Sequence, residues 1–184
     1  MVIRTRPAAD LDERLPYVQA APADHGRVVM IVRRPSVDVR EVVPDAVLDR
    51  DSGLVGDSWL ARGSRTTPDG SADPEVQLTL ISTRVLESIE PDRSRWPLAG
   101  DQVYVDLDLS VERLPAGTRL AIGSAVIQVS EPPHTGCAKF SARFGSDALR
   151  WINSPTGRAH RMRGLNARVV TPGTIHTGDE IRRV

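Results

Sequence analysis

The sequence predicts a mainly β fold, a closed or strongly curled β-barrel that carries two or three short helices. Short apolar runs rich in β-branched residues recur along the chain. Turns built on Gly and Pro separate them at close, even intervals. A helical period takes over clearly only in one region, after residue 136. Many strands and few helices argue a sheet that closes on itself.

The elements follow in order. Residues 1–25 read as an N-terminal arm, extended or with a short helix, packed on a body that spans 26–184. Pro7, Pro16 and Pro22 interrupt any long helix there. Arg27-Val-Val-Met-Ile-Val32 is a buried strand, and Val37-Asp-Val-Arg-Glu-Val-Val43 alternates as a half-buried one. Gly63 to Pro74 is a loop of Gly, Pro, Ser, Thr and Asp. Val76 to Ile81 reads as a strand. Ser82 then suits the N-cap of a helix from Thr83 to Glu90 that Pro91 stops. Gln102 to Leu109 alternates strictly and reads as one strand. Thr118–Ile122 and Ala125–Val129 flank Gly123-Ser124, a two-residue hairpin. From Cys137, Phe140, Phe144, Ala148, Leu149 and Ile152 fall on one helical stripe, interrupted or kinked at Gly145, where Ser146 or Asp147 suits the cap of a second piece, and ended by Pro155 and Gly157. Arg158 to Gly164 is a basic loop, and three short strands finish the chain.

Composition narrows the function classes. A chain of 184 residues is of single-domain size, and 40% hydrophobic content supplies a core. Net charge is zero, so no global field draws the chain to nucleic acid or to anionic lipid. No apolar run is long enough to span a membrane, and Met1-Val-Ile-Arg-Thr-Arg-Pro lacks the apolar segment of a secretory signal. The single cysteine, Cys137, excludes an internal disulfide, and the expected compartment is the reducing cytoplasm. Of the 24 basic residues all but Lys139 are arginine. Any anion pocket would therefore be built from guanidinium forks.

Cys137 is the residue around which a function can be argued. It follows Pro132-Pro-His134-Thr-Gly136 and stands where the helical period begins. Free N–H groups at that place favour thiolate, and His134 and Lys139 are near enough in sequence to add positive charge. A bland alternative is a small buried thiol with no chemistry. His160 and His176 have no partner at metal-ligand spacing, so zinc is not expected. Asp57, Asp101 and Asp179 follow glycine in turns and read as structural.

Several fragments in this order resemble one family: Gly53-Leu-Val-Gly56-Asp57, Leu98-Ala-Gly100-Asp101, Leu120-Ala-Ile-Gly123-Ser-Ala-Val-Ile-Gln-Val129, Cys137-Ala-Lys139-Phe140, Arg163-Gly164-Leu-Asn-Ala-Arg168 and Gly178-Asp179-Glu-Ile181. The chain is similar to the MOSC domain, named after the C-terminal part of molybdenum cofactor sulfurases, and to its stand-alone bacterial type. The resemblance implies a β-barrel whose Cys137 faces a pocket and ligates molybdenum of the pterin cofactor, or carries sulfur as a persulfide. It implies reduction of N-hydroxylated small molecules, with electrons or sulfur coming from a separate protein. His134 would join Cys137 in the chemistry. Lys139, Arg143, Arg161 and Arg163 would hold the cofactor's phosphate. No lysine for pyridoxal phosphate is expected, because the only lysine sits beside the cysteine. Two positions depart from the family pattern: Trp59 stands where many members have histidine, and Gly136 rather than proline precedes Cys137.

Overall fold

The computed structural model describes residues 6–184, so positions 1–5 of the expected arm lie outside the described residues. Eleven strands form two sheets. They are β1 (His25–Arg33), β2 (Glu41–Val43), β3 (Asp45–Asp49), β4 (Gly53–Leu54), β5 (Leu78–Ser82), β6 (Val103–Asp106), β7 (Arg119–Ile122), β8 (Ala125–Val129), β9 (Leu165–Thr171), β10 (Gly173–His176) and β11 (Glu180–Arg183). Seven of them close a barrel in the order β1-β11-β7-β8-β9-β5-β6 and back to β1, and β2 hangs on the far side of β1. Closure removes the free edges that an open sheet would expose. The β5–β6 pair is parallel while the other ladders are antiparallel. A parallel pair needs a crossover, and helix α4 (Thr83–Ile89) begins it. A small sheet, β10-β3-β4, stands beside the barrel.

Strands β5, β6 and the centre of β1 are buried on both faces because both faces are covered, whereas β7 and β11 alternate buried residues with exposed ones. Val28, Ile31, Leu78, Leu80, Val103, Val105, Leu120, Ile127 and Ala167 fill the interior. Met30, Val32, Ile81 and Tyr104, their neighbours in sequence, point outward under the helices. There they meet α5 (Ala138–Phe144) and α6 (Ser146–Asn153) through Phe140, Phe144, Trp151 and Ile152. The N-terminal arm is helical, with α1 (Ala8–Asp12) and α2 (Leu15–Gln19). Leu11 and Val18 anchor it in the same cluster. Pro16 sits in the first turn of α2, where its missing N–H breaks nothing.

The structure corrects several boundaries. Only Glu41–Val43 of the expected Val37–Val43 strand pairs, because Glu41 stands opposite Arg33, the last residue of β1. Before it, the chain turns through Asp38 at φ 60° and leaves Val37 78% exposed. The strictly alternating Gln102–Leu109 run holds the ladder only over Val103–Asp106. The Asp108 N–H then donates to Pro22 O at 2.8 Å, while Leu107 and Leu109 remain in the barrel core. Alternation reported burial there, not pairing. Ser82 precedes α4 but its side chain makes no capping hydrogen bond. An unforeseen 3-10 turn, Arg93–Ala99, follows it. The interruption expected at Gly145 is present, and the helical stretch after Cys137 is three pieces rather than two. Gly145, at φ 93°, separates α5 from α6. Ser154 then caps α7 (Pro155–Ala159), accepting from Gly157 N at 2.9 Å with Pro155 in the first turn. The first two residues of the expected basic loop, Arg158 and Ala159, are therefore helical.

Candidate functional site

The turn Leu98-Ala-Gly100-Asp101 is a docking point for arginines. Arg143 Nη1 donates to Leu98 O at 2.7 Å, Arg163 Nη2 to Ala99 O at 3.0 Å and Arg34 Nη1 to Gly100 O at 2.8 Å. Arg163 Nη1 adds Asp101 Oδ2 at 2.7 Å. Gly100 lies at φ 90°, in the left-handed region that favours glycine, and this bend presents the carbonyls outward. Arg34, just past β1, is clamped again from the other side. Its N and Nε donate to Asp57 Oδ2 at 3.0 and 2.8 Å, and its Nη2 to Oδ1 at 2.9 Å. Asp57 is fully buried, so the pair works in low dielectric. Helix α3 (Trp59–Arg62) starts directly behind, with Trp59 N donating to Asp57 Oδ1 at 3.0 Å. Trp59 itself is buried.

These clamps frame a recess of about 220 Å³ lined by Arg34, Arg40, Arg62, Lys139, Gly100 and one acid, Asp38, among others. Its cations are crowded. Burial, with Arg143 and Arg34 nearby, pulls Arg40 below its ordinary pKa, and burial beside Arg34 does the same to Arg62. Among the described residues, Arg62 makes no side-chain hydrogen bond. Arg40 reaches only Val39 O, and its Nε is buried without a partner. Donors left open in a crowd of like charge are what an anion would satisfy.

Cys137 stands at the N-cap of α5, exposed and unbonded. Burial of the sulfur acts to raise its pKa. The N–H groups of Phe140 and Lys139, with the charges of Arg163 and Lys139, outweigh it and lower the thiol below its ordinary value. Lys139 therefore joins the two features, since it lines the recess and also acts on the sulfur. Gly136 is where it is because α6 leaves no room. A Cβ there would come within 2.7 Å of Leu149 Cδ1 and 2.8 Å of Ile152 Cδ1. Asn153 holds the Gly136 backbone at both ends, accepting from its N at 3.0 Å and donating to its O at 3.2 Å.

The remaining expected site residues fall on a second cavity of about 410 Å³, walled by His134, Arg161, Arg163, Pro132, Ile152 and Leu165 among others. Arg161 is tied to the Leu109 and Leu114 carbonyls. Arg163 is buried against Asp101, and its guanidinium lies 5.2 Å over the Phe140 ring. His134 Nδ1 is 3.4 Å from Asp101 Oδ1. Thus Lys139 and Arg143 gather at the recess, Arg161, Arg163 and His134 at the cavity, and Cys137 lies on the loop that joins them. Arg34, Arg40 and Arg62 were not singled out by sequence reasoning. Among the described residues, no group of three or more His, Cys, Asp or Glu could hold a metal ion, and no helix is long and apolar enough to cross a membrane.

Comparison with known proteins agrees with this architecture. The YuaD protein from Bacillus subtilis superposes with a TM-score of 0.64 at 18% identity, over 85% of this chain and 94% of that one. YiiM from Geobacillus stearothermophilus gives 0.60 at 17% identity, over 86% and 75%. YiiM from Escherichia coli gives 0.55 at 19%, over 86% and 69%. At such identities the likeness establishes the fold alone. No curated protein matches the chain by sequence. A family model described as the MOSC domain matches residues 73–182. That segment is more than half of the chain and carries the Leu98–Asp101 turn, Cys137 and Arg163. The chain belongs to the MOSC domain family.

Proposed function

We propose that this protein binds molybdenum cofactor with Cys137 as the metal's thiolate ligand, and reduces N-hydroxylated small molecules with electrons from a separate redox partner. The family as a whole is associated with that cofactor. The observation that carries the reading is the coupling at Lys139. One cation lines a recess of open arginine donors and also draws the neighbouring exposed thiol toward thiolate. The residues fit the group. A pterin cofactor offers a terminal phosphate; Arg40, Arg62 and Lys139 offer positive charge with unfilled donors, and the clamped Arg34 adds its charge beside them. The recess is smaller than the ~300–1,000 Å³ of pockets that enclose whole drug-sized ligands. It suits the anionic end and leaves the rest against the open face beside Cys137.

The bound cofactor would supply two-electron redox chemistry. The chain's own residues do the rest. Cys137 gives the soft thiolate ligand that such a metal takes, and the N–H groups and charges around it lower its pKa and so favour that form. The recess arginines neutralise the phosphate. Reduction of an N–OH group to N–H takes up two electrons and two protons and releases water, so a proton donor near the substrate is required. His134, the donor expected from the sequence, lines the other cavity and is held neutral by burial with Arg163 and Arg34 nearby, so the proton would come from solvent at the open face beside Cys137.

The test is molybdenum content in protein purified from a host that makes the cofactor, for the wild type and Cys137→Ser. Stoichiometric metal that is lost in the variant is the expected result. Metal-free protein, with no activity lost on removing the thiol, would overturn the proposal. The exposure of Cys137 favours a second reading, a persulfide carrier that turns over nothing itself. That reading expects a mass gain of one sulfur atom at Cys137 after incubation with a cysteine desulfurase, and no resident molybdenum.

A further inference from the structure

The larger cavity is separate from the cationic recess, and no lining residue given above is common to both. Its volume of about 410 Å³ falls within the ~300–1,000 Å³ range of small-molecule pockets. Pro115, Pro132, Pro133, Ile152 and Leu165 give it a mainly apolar wall. Its glycines are there for space. A Cβ on Gly157 would meet Trp151 O at 2.4 Å, and one on Gly164 would meet Leu80 O at 2.1 Å and His134 Nδ1 at 3.4 Å.

His134 supplies the polar feature. Its Nδ1 is buried and 3.4 Å from Asp101 Oδ1, close but outside hydrogen-bond geometry, and neither atom has a hydrogen-bond partner among the described residues. Asp101 is in turn fixed by Arg163 at 2.7 Å. The imidazole side chain is nevertheless 18% exposed. With Nδ1 sealed, that exposure belongs to the opposite edge, which carries Nε2 and faces the cavity that His134 lines. A ring nitrogen facing a buried acid oxygen that lacks a donor favours the tautomer with hydrogen on Nδ1. Burial, with Arg163 and Arg34 nearby, holds the imidazole well below its usual pKa, so it is neutral at pH 7. Neutral Nε2 then has one function to offer, a hydrogen-bond acceptor. Arg158, Arg161 and Arg163 against Glu131 on the same wall disfavour a cation.

We infer that this cavity is a second ligand site, for an uncharged molecule of aromatic size bearing an O–H or N–H group that donates to His134 Nε2. Asp101 acts as the positioning residue that turns Nε2 outward. The inference goes beyond the proposed cofactor binding and stands whether or not Cys137 holds a metal.

Phenol is a suitable probe, with anisole as the same shape lacking the donor. Protein labelled on histidine with ¹³C and ¹⁵N is titrated with each by NMR. Phenol shifts the His134 Cε1–H signal with a Kd on the order of 1 mM, and anisole binds roughly tenfold more weakly, the usual effect of one missing hydrogen bond. The ¹⁵N shifts read the Nδ1–H tautomer in the wild type and lose that preference in Asp101→Asn, a change that mere structural support by Asp101 would not produce. Ala116→Trp, at an exposed lining position, abolishes phenol binding, and Cys137→Ser leaves it unchanged. Equal binding of phenol and anisole, an Nε2–H tautomer in the wild type, a silent His134 at saturating phenol or loss of binding in Cys137→Ser would each overturn the inference.

Discussion

Removal of the Asp57 carboxylate tests the frame of the recess most directly. Arg34 is 9% exposed and Asp57 fully buried, so their interaction is little screened by water or salt. The carboxylate accepts three bonds from Arg34 and one from Trp59 N. Asp57→Ala leaves a buried guanidinium with only the Gly100 carbonyl. Breaking a buried pair from one side costs about 3–5 kcal/mol, because the surviving charge remains uncompensated. For a chain of this length each kcal/mol moves Tm by about 2–4 °C, so the expected loss is roughly 6–20 °C. Asp57→Asn keeps an acceptor for Trp59 N and loses only the charge, and should fall between wild type and Asp57→Ala. The decisive measurement is a double-mutant cycle with Arg34→Met, by urea unfolding followed by tryptophan fluorescence. Removing both charges should cost far less than the two single losses together, with a coupling of about 2–3 kcal/mol. A loss under ~1 kcal/mol in Asp57→Ala, or additivity within ~0.5 kcal/mol, would refute the claim that this pair holds the recess in shape.

Three further outcomes are expected. The Cys137 thiol should titrate below the ~8.5 of a free cysteine, read as the midpoint of alkylation rate against pH. Lys139→Met should raise that midpoint, since it deletes one of the charges that favour thiolate; an unmoved midpoint would detach Lys139 from the sulfur. Arg40→Gln and Arg62→Gln should each weaken pyrophosphate binding about tenfold at low salt, by calorimetry, while leaving stability unchanged within ~0.5 kcal/mol. Their cations are crowded and burial already disfavours them, so a large drop in stability would mark them as structural. Gly164→Ala should destabilise by several kcal/mol, because its Cβ would meet Leu80 O at 2.1 Å and its φ is 100°. Gly117→Ala, at φ 88° with open space around it, should cost only about 1–2 kcal/mol in urea unfolding.

The barrel was legible because its signals are local. Thr118–Ile122, Gly123-Ser124 and Ala125–Val129 name their own hairpin, and the observed β7–β8 register pairs Ile122 with Ala125 across that turn. The change of period at Cys137 likewise marks the true start of α5. Errors arose where one strand's length depends on another. Val37–Arg40 alternates like a strand, but β1 ends opposite Glu41 and leaves nothing to pair with. Leu107 and Leu109 alternate because they reach the core, although their backbone has left the ladder. Leu11 and Val18 become helical anchors of the arm only because the outer face of the barrel gives them a surface to cover.

The site was half legible, for a different reason. A cysteine unique in its chain draws attention to itself, whereas an arginine among so many does not. What separates the arginines is the state of their donors, which no local pattern records. The Gly-Asp turns did carry a clue. Asp57 was read as a local turn residue, and one oxygen does accept from Trp59 N two positions on. Both oxygens also take Arg34, 23 positions away. Asp101 repeats the arrangement with Arg163, 62 positions away. Arginines gripped in this way are scaffold: the fork of Arg34 is filled, and both Nη groups of Arg163 are engaged. Arg40 and Arg62 have no such partner among the described residues and face the recess that the gripped ones hold open. In a chain whose basic residues are nearly all arginine, each buried aspartate thus removes one guanidinium from the candidates for ligand contact. The unpaired remainder, together with Lys139 at the thiol, is where an anion would be bound.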